Sequence, residues 1–152
     1  MTADNPREII DEFMTRFNRL VSGEPVDPFG WLEMLDEDVS YVRQGLEPIV
    51  ARCRSRAEAR EKLFPADPSR SIKLKPGFGV YPLEYIQEGN RIVVIAKGRG
   101  DNIYGIPYNN TYFFFFEVVN GKIVRAVEDL DASITLRSIC NTHLEEGLEP
   151  QQ

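Results

Sequence analysis

The dipeptide Asn120-Gly121 constrains the fold of this chain more than any other feature of the sequence. It separates two runs of alternating character, residues 108–119 and 122–130. Both residues of such a pair readily adopt positive φ, so Asn-Gly between alternating runs is a strong signal for a two-residue β-hairpin turn. The end of the chain is therefore predicted to form antiparallel strands.

The hydrophobic period divides the chain into two halves. Period-two alternation predicts further strands over residues 71–75, 80–87 and 91–99, with Glu88-Gly89-Asn90 as a second turn. In the first half, Asn5-Pro6 opens an amphipathic helix that ends at Ser22-Gly23. A short helix is predicted after Asp27-Pro28, a short strand over 39–42, a third helix from the capping box at 55–58 to Pro65, and a short helix or irregular tail after Asp131.

Helices first and an antiparallel sheet after them indicate an α+β fold. We expect a curved sheet wrapped by the N-terminal helices, with a conical pocket between its concave face and those helices. The length of 152 residues predicts a single domain over 1–152.

Charge and hydropathy exclude several classes of partner. There are 24 acidic against 18 basic residues, a net charge of −6, whereas binding nucleic acid through its phosphates requires a basic face. No apolar run approaches the roughly 20 residues that cross a bilayer. The first residues form no apolar signal segment, so we expect a cytoplasmic protein that binds neither nucleic acid nor membrane.

Acid–base chemistry in this chain has few candidate side chains. One histidine and two distant cysteines do not have the spacing of a zinc site, so we expect no metal and no cofactor. A general acid or base would have to be a carboxylate, a tyrosine or a lysine.

The last predicted strand places one carboxylate on an apolar face. By strand parity, Glu128 shares its face with Val124, Ala126 and Leu130, and the opposite face carries Ile123, Arg125, Val127 and Asp129. Burial among aliphatic neighbours raises the pKa of a carboxyl group, which makes Glu128 a candidate acid or base. The alternative is that Glu128 pairs with an arginine or lies at the rim.

The preceding strand is apolar on both faces. One face carries the residues of even number from Tyr108 to Val118, including Asn110 and Tyr112, and the run from Phe113 to Phe116 puts rings on both. A sheet that is apolar on both faces needs cover on both, so the outer face is predicted to form a homodimer interface. The alternative is cover by a terminal helix.

A second candidate acid lies at the end of the strand before that. Arg99 and Asp101 share a face, and an arginine can hold and orient an aspartate beside it. The alternative is an exposed ion pair at a strand end.

The spacing Tyr108-Asn109, Gly121-Lys122-Ile123, Glu128 and Asp131 resembles that of the nuclear transport factor 2-like superfamily. The amphipathic first helix and the segment from Trp31 to Tyr41 resemble it as well, so the resemblance covers nearly the whole chain. It implies a cone-shaped α+β fold that is commonly dimeric. The superfamily includes isomerases, cyclases, dehydratases, epoxide hydrolases and non-catalytic binding domains, so the resemblance alone does not define an activity.

Comparison with ketosteroid isomerase argues against that enzyme's mechanism. Its helix tyrosine, its aspartate base and its oxyanion aspartate correspond to Phe17, Arg43 and Asn110. All three depart from the pattern, and an arginine cannot serve as a base at neutral pH.

Limonene-epoxide hydrolase is the closer comparison, and the SnoaL-like polyketide cyclases are the third. In the comparison with limonene-epoxide hydrolase, Tyr41 matches a tyrosine, Glu128 stands at the last-strand acid, and Arg43 replaces an asparagine. Arg99 and Asp101 supply that family's Arg-x-Asp pair if the intervening hairpin is four residues shorter. Resemblance to the SnoaL-like polyketide cyclases implies proton transfer by Asp101 or Glu128.

We therefore hypothesise a cofactor-independent enzyme that acts on a hydrophobic, oxygenated small molecule by isomerisation, cyclisation, dehydration or epoxide opening. The predicted site comprises Asp101 and Glu128 as acid and base, Arg99 and Arg43 as anion partners, and a binding wall of Tyr41, Asn110, Tyr112, Phe17 and Trp31. The alternative is a non-catalytic ligand-binding or dimerisation domain of the same fold.

Overall fold

A computed structural model of the chain describes residues 5–22, 24–27, 29–47, 49–63 and 74–140. Within these ranges the helices are α1 (Pro6–Val21), α2 (Arg56–Lys62) and α3 (Ala132–Thr135), with a 3-10 helix at Gly30–Met34 and a π-helical turn at Leu136–Cys140. The strands are β1 (Leu35–Arg43), β2 (Ala51–Cys53), β3 (Gly79–Glu88), β4 (Arg91–Arg99), β5 (Thr111–Val119) and β6 (Lys122–Leu130). No helix in these ranges is long and apolar enough to cross a membrane.

The six strands form one mixed sheet in the order β2-β1-β6-β5-β4-β3. All neighbouring strands are antiparallel except β1 and β6, which are parallel. The predicted α+β class, with N-terminal helices packed on a curved sheet, is confirmed. The parallel pairing joins the first strand of the sheet to the last, and it brings Arg43 beside Glu128.

The Asn120-Gly121 hairpin joins β5 and β6 as predicted. Asn120 has φ of 50° and Gly121 has φ of 74°, the positive values that this turn requires. Its β6 arm contains a bulge that the alternation does not show: Glu117 pairs with Arg125, while Val118 pairs with Ile123.

This bulge corrects the predicted faces of two residues. The extra residue, Val124, inverts the alternation at the start of β6, because a bulge sets two residues of one strand against one of its partner. Ile123, predicted on the outer face, is therefore fully buried with Ala126 and Glu128 on the inner face. From Arg125 onward the predicted parity holds.

Several element boundaries differ from the predictions. The predicted short helix is a 3-10 turn, and Leu35, assigned to it, begins β1 instead of residue 39. The strand predicted from residue 108 begins at Thr111, although Tyr108 and Asn110 are buried. Strand β2 was not predicted, because three residues are too short to show a period.

Two predictions fall partly outside the described ranges. Of the strand predicted over 71–75, Leu74 forms an isolated bridge with Asn102, and residues 71–73 are not described. Helix α2 ends at Lys62, and Pro65, predicted to stop it, lies outside the described residues.

The core lies between α1 and the concave face of the sheet. The residues of α1 that repeat at helical spacing are buried there: Ile10, Phe13, Met14 and Phe17. Phe13 meets Phe116 edge-on with ring centroids 5.1 Å apart, and Phe17 meets Phe114 at 6.2 Å. The α1 rings therefore close one side of the inner face.

One side chain of α1 fixes the helix to the start of β3. The Asn18 Nδ2 donates to the Val80 carbonyl oxygen at 2.6 Å, and the Val80 N–H donates to Asn18 Oδ1 at 2.6 Å. Asn18→Ala leaves both backbone groups of buried Val80 without this partner. We expect it to lower the free energy of unfolding by about 2 kcal/mol in urea denaturation. Glu12→Ala on the exposed side of α1 should cost less than about 0.5 kcal/mol, and equal losses would contradict the assignment.

Candidate functional site

Glu128 lies at the centre of the inner sheet face. It is only 6% exposed, and its neighbours across the sheet are Arg43 of β1 and Phe114 of β5. Burial raises the pKa of the Glu128 carboxyl group above its ordinary value, and the Arg43 charge and a Tyr41 hydrogen bond oppose that rise. The environment therefore favours the protonated form more than water does.

Tyr41 is the hydrogen-bond donor to this carboxylate. Its Oη donates to Glu128 Oε2 at 3.2 Å, and the side chain is fully enclosed. Burial and the neighbouring Glu128 charge hold the pKa of Tyr41 well above its usual range, so the phenol keeps its proton. Within the described residues, the Glu128 carboxylate has no ion pair and accepts no hydrogen bond besides the one from Tyr41, and the side chain is buried rather than at the rim.

Arg43 is anchored by backbone carbonyl groups. Its Nε donates to the Ile49 carbonyl oxygen at 2.7 Å, and its Nη1 donates to that of Leu63 at 3.4 Å. Because neutral carbonyls hold the guanidinium, its positive charge is not cancelled where it is bound. That charge lowers the pKa of both Glu128 and Tyr41 against the effect of burial.

A cluster of buried hydroxyl groups lies beside this carboxylate, at the ends of β5 and β6. The Tyr108 Oη lies 2.9 Å from Tyr112 Oη and 2.9 Å from Thr135 Oγ1. Asn110 Nδ2 approaches Tyr108 Oη at 3.2 Å, Thr135 Oγ1 at 3.0 Å and the Asp131 carbonyl oxygen at 3.0 Å. Burial raises the pKa of Tyr112 well above its usual range, and the Glu128 charge contributes to that rise.

Aromatic side chains make up the wall around these polar groups. Trp31 meets Tyr41 edge-on at 6.1 Å, and Phe17 packs edge-on against Phe114. Tyr112, Phe114 and Phe116 form a parallel ladder along β5, with centroids 5.9 and 5.7 Å apart. The predicted wall residues Phe17, Trp31, Tyr41, Asn110 and Tyr112 are thus all buried on the inner side, and Arg43 is half-buried beside them.

Arg99 and Asp101 are placed elsewhere. The inner face of β4 consists of Ile92, Val94, Ala96 and Gly98, so alternation directs Arg99 outward. Asp101 is also exposed. The structure does not bring this pair to buried Glu128, and the expected convergence of the three side chains is not formed. Asp101 lies beyond the end of β4 and forms an isolated bridge with Pro107 in the connection to β5.

Thr135 is the member of the hydroxyl cluster that the sequence did not indicate. It lies on α3, a helix of four residues capped by Asp131, and so short an element carries no periodic signal. The positions of Tyr108 and Asn110 on the inner face could be predicted from the sequence, because both residues continue the alternation of β5.

A separate cleft of about 330 Å³ opens beside α2. It is lined by Asp27, Phe29, Leu32, Glu33, Arg56, Ala57 and Arg60. Arg60 lies over the Phe29 ring, 4.1 Å from its centroid. This cleft shares no residue with the Glu128 site. In the described ranges no cluster of three or more histidine, cysteine, aspartate or glutamate side chains could hold a metal ion.

Comparison with solved structures shows the fold. A nuclear transport factor 2-like protein of unknown function from Burkholderia pseudomallei superposes with a TM-score of 0.72 at 22% identity, covering 91% of this chain and 98% of that one. TerC, co-crystallised with polyporic acid, gives 0.66 at 20% identity over 84% and 92% of the two chains. A phenazine biosynthesis-related protein from Pseudomonas aeruginosa gives 0.62 at 18% identity over 96% and 83%.

These similarities establish that the chain has the nuclear transport factor 2-like fold, as the sequence resemblance implied. Proteins of this architecture include enzymes and binding proteins, so the fold is compatible with either. No protein-family model and no curated protein matches the sequence.

The raised pKa of Glu128 predicts how stability changes with pH. The folded protein holds this proton more tightly than the unfolded chain, so the contribution of Glu128 to stability is fully present below the ordinary value of 4.5 and is lost as pH rises through the folded pKa. Glu128→Gln, which is neutral throughout, should therefore gain in Tm relative to wild type as the pH rises above 4.5. Asp129→Asn, at the exposed next position of β6, removes a carboxylate from the same strand and is the matched control. A constant Tm difference for Glu128→Gln would contradict the assignment.

Proposed function

We propose that this protein is a cofactor-independent enzyme that transfers a proton on a hydrophobic, oxygenated small molecule, with Glu128 as the acid–base residue. The observation that carries the proposal is one buried carboxylate on an apolar sheet face, hydrogen-bonded by a single neutral phenol. A structural carboxylate in such a place is ordinarily compensated by a cation.

The surroundings of Glu128 suit proton transfer near neutral pH. A general base works best when its pKa lies near the operating pH, and burial moves the pKa of Glu128 in that direction. Tyr41 fixes the orientation of the carboxylate through Oε2 and leaves Oε1 for a substrate proton. The surrounding aromatic side chains are buried, and electrostatic interactions are stronger in such low-dielectric surroundings than in water.

Arg43 and Tyr112 complete the proposed machinery. Arg43 supplies positive charge next to Glu128 without a direct ion pair, so it can stabilise negative charge that develops on a substrate oxygen. Tyr112 supplies a buried hydroxyl on the same face. Arg99 and Asp101 are exposed and have no part in it, which favours isomerisation, cyclisation or dehydration over the epoxide opening that required their Arg-x-Asp pair.

The structural neighbours support a small-molecule function. One of them is related to phenazine biosynthesis, and another was crystallised with polyporic acid. Both share the fold of this chain over most of its length. We propose that the present chain uses that face for a small hydrophobic substrate, as a single domain in the cytoplasm and without a cofactor.

Deuterium exchange tests this proposal without knowledge of the natural substrate. The protein should accelerate exchange of the acidic C–H protons of 2-tetralone in D2O, followed by NMR, because Glu128 removes and returns such a proton. Glu128→Gln should lower the acceleration at least about tenfold. Asp101→Asn, which changes an exposed carboxylate, should retain it. Equal rates in wild type and Glu128→Gln would remove Glu128 from the mechanism.

A non-catalytic binding protein is the second candidate function, since the apolar wall alone can hold a ligand. Binding raises the Tm by mass action and does not need the carboxylate. If wild type and Glu128→Gln are stabilised equally by naphthalene-sized ligands and neither accelerates exchange, the binding function replaces the catalytic one.

The outer face of the sheet is proposed as a homodimer interface. Phe113 is 49% exposed there, and its cross-strand partner Ile95 is half-buried. Phe115 lies between Val93 and Val127 on the same face. Adjoining apolar side chains of this kind are typical of surfaces that are covered in an assembly.

Phe113→Glu should convert the dimer into a monomer, because it replaces an exposed ring of the outer face with a charge. Sedimentation velocity measures the mass directly. Leu46→Glu, at a residue 64% exposed outside the sheet, is the control and should leave the dimer intact. A wild-type monomer at high micromolar concentration would refute the interface.

A further inference from the structure

The hydroxyl cluster of Tyr108, Tyr112 and Thr135 can adopt two hydrogen-bond arrangements that run in opposite directions. Asn110 is fixed first, because the Asp131 N–H donates to its Oδ1 at 3.1 Å. This bond identifies Nδ2 as the donor to the cluster and to the Asp131 carbonyl oxygen. The three hydroxyl protons can then be distributed in two ways.

In the first arrangement the protons point away from the inner face. Thr135 Oγ1 donates to the Asp131 carbonyl oxygen at 3.3 Å, Tyr108 Oη donates to Thr135, and Tyr112 Oη donates to Tyr108. Tyr112 then presents only lone pairs to anything else beside it. It can accept a hydrogen bond from a ligand but cannot donate one.

In the second arrangement every hydroxyl is turned round. Thr135 donates to Tyr108, and Tyr108 donates to Tyr112. The Asp131 carbonyl oxygen still accepts a hydrogen bond from Asn110 Nδ2. The Tyr112 proton is then free to donate to a ligand. Both arrangements use the same heavy-atom positions, so the change requires only rotation about three C–O bonds.

We propose that Tyr108, Thr135 and Asn110 form a reversible hydroxyl relay that lets Tyr112 recognise both tautomers of one ligand, as donor to a carbonyl oxygen and as acceptor from a hydroxyl group. The inference rests on the proposed function, and it defines the substrate class as a planar, apolar carbonyl compound and its enol. In the interconversion the Glu128 carboxylate takes the proton from the carbon next to the carbonyl as the C=C bond forms. The same carboxyl group then gives that proton to the oxygen, so no co-reactant is needed.

The surroundings of Tyr112 fit such a substrate. Its ring continues the ladder of Phe114 and Phe116, a stack of parallel faces on which a planar molecule can pack. Phe114 is also the cross-strand neighbour of Glu128, so the phenol and the carboxylate flank the same ring. Tyr108, Thr135 and Asn110 act through Tyr112 and are positioning residues.

Removal of the Thr135 hydroxyl tests the relay. In Thr135→Val the Tyr108 proton has one acceptor left within the described residues, Tyr112 Oη, so Tyr112 is locked as a donor. Indole, which can only donate through its N–H, and 1-indanone, which can only accept through its carbonyl, are probes of nearly equal shape. Isothermal titration with both gives a ratio of Kd values that reports the direction of the Tyr112 hydrogen bond.

We expect Thr135→Val to raise the Kd of indole relative to that of 1-indanone by about fivefold to tenfold, which corresponds to the loss of one hydrogen bond. Thr135→Ser restores the hydroxyl and should restore the wild-type ratio. Tyr112→Phe removes both bonds, so both affinities should fall while their ratio stays near that of wild type. A general loosening of α3 would weaken the binding of both probes equally and leave the ratio of their Kd values unchanged.

An unchanged ratio in Thr135→Val would overturn the relay, as would failure of the wild-type protein to bind either probe. The deuterium-exchange assay depends on Glu128 and involves no Thr135 variant. Loss of the relay with exchange retained would therefore leave the proposed function standing. If the Kd ratio changes as expected but the protein does not accelerate deuterium exchange, the catalytic function is refuted and the relay stands.

Discussion

Burial of one carboxylate is the constraint around which the inner face of this protein is arranged. Transfer of a charged group from water into an apolar interior is costly unless other groups compensate it. Here the compensation is partial: Tyr41 donates one hydrogen bond, and the Arg43 charge acts from the neighbouring strand without an ion pair. The incomplete compensation is what raises the pKa of Glu128 and makes the site chemically useful.

The sheet topology makes that arrangement possible. Strands β1 and β6 are distant in sequence, yet their parallel pairing sets Arg43 directly beside Glu128 and Tyr41 beside Ala126. The β5–β6 hairpin adds Phe114 on the other side, and α1 lays Phe17 against it. The hydroxyl cluster joins this site to α3, because Asn110 binds both backbone groups of Asp131, the residue that caps that helix.

The elements that the sequence predicted well are those held by local interactions. The Asn120-Gly121 turn depends on the φ values of two adjacent residues, and α1 depends on an N-cap and a regular apolar face. The bulge at Val124 could not be predicted, because it satisfies the packing of Ile123 against the core rather than any preference of the strand itself. Likewise, the exposure of Asp101 depends on the course of a long hairpin whose register no local signal determines.

The sequence by itself determined the α+β class, the inner position of Glu128 and the apolar character of both faces of β5, because each follows from periodicity along one segment. Only the tertiary structure decided which side chains meet Glu128. It selected Tyr41 and Arg43 over Arg99 and Asp101, and it brought Thr135 to Tyr108. The physical reason is that strand pairing between distant segments, and one bulge within a strand, set the neighbours of a buried group, and neither leaves a mark in the local pattern of residues.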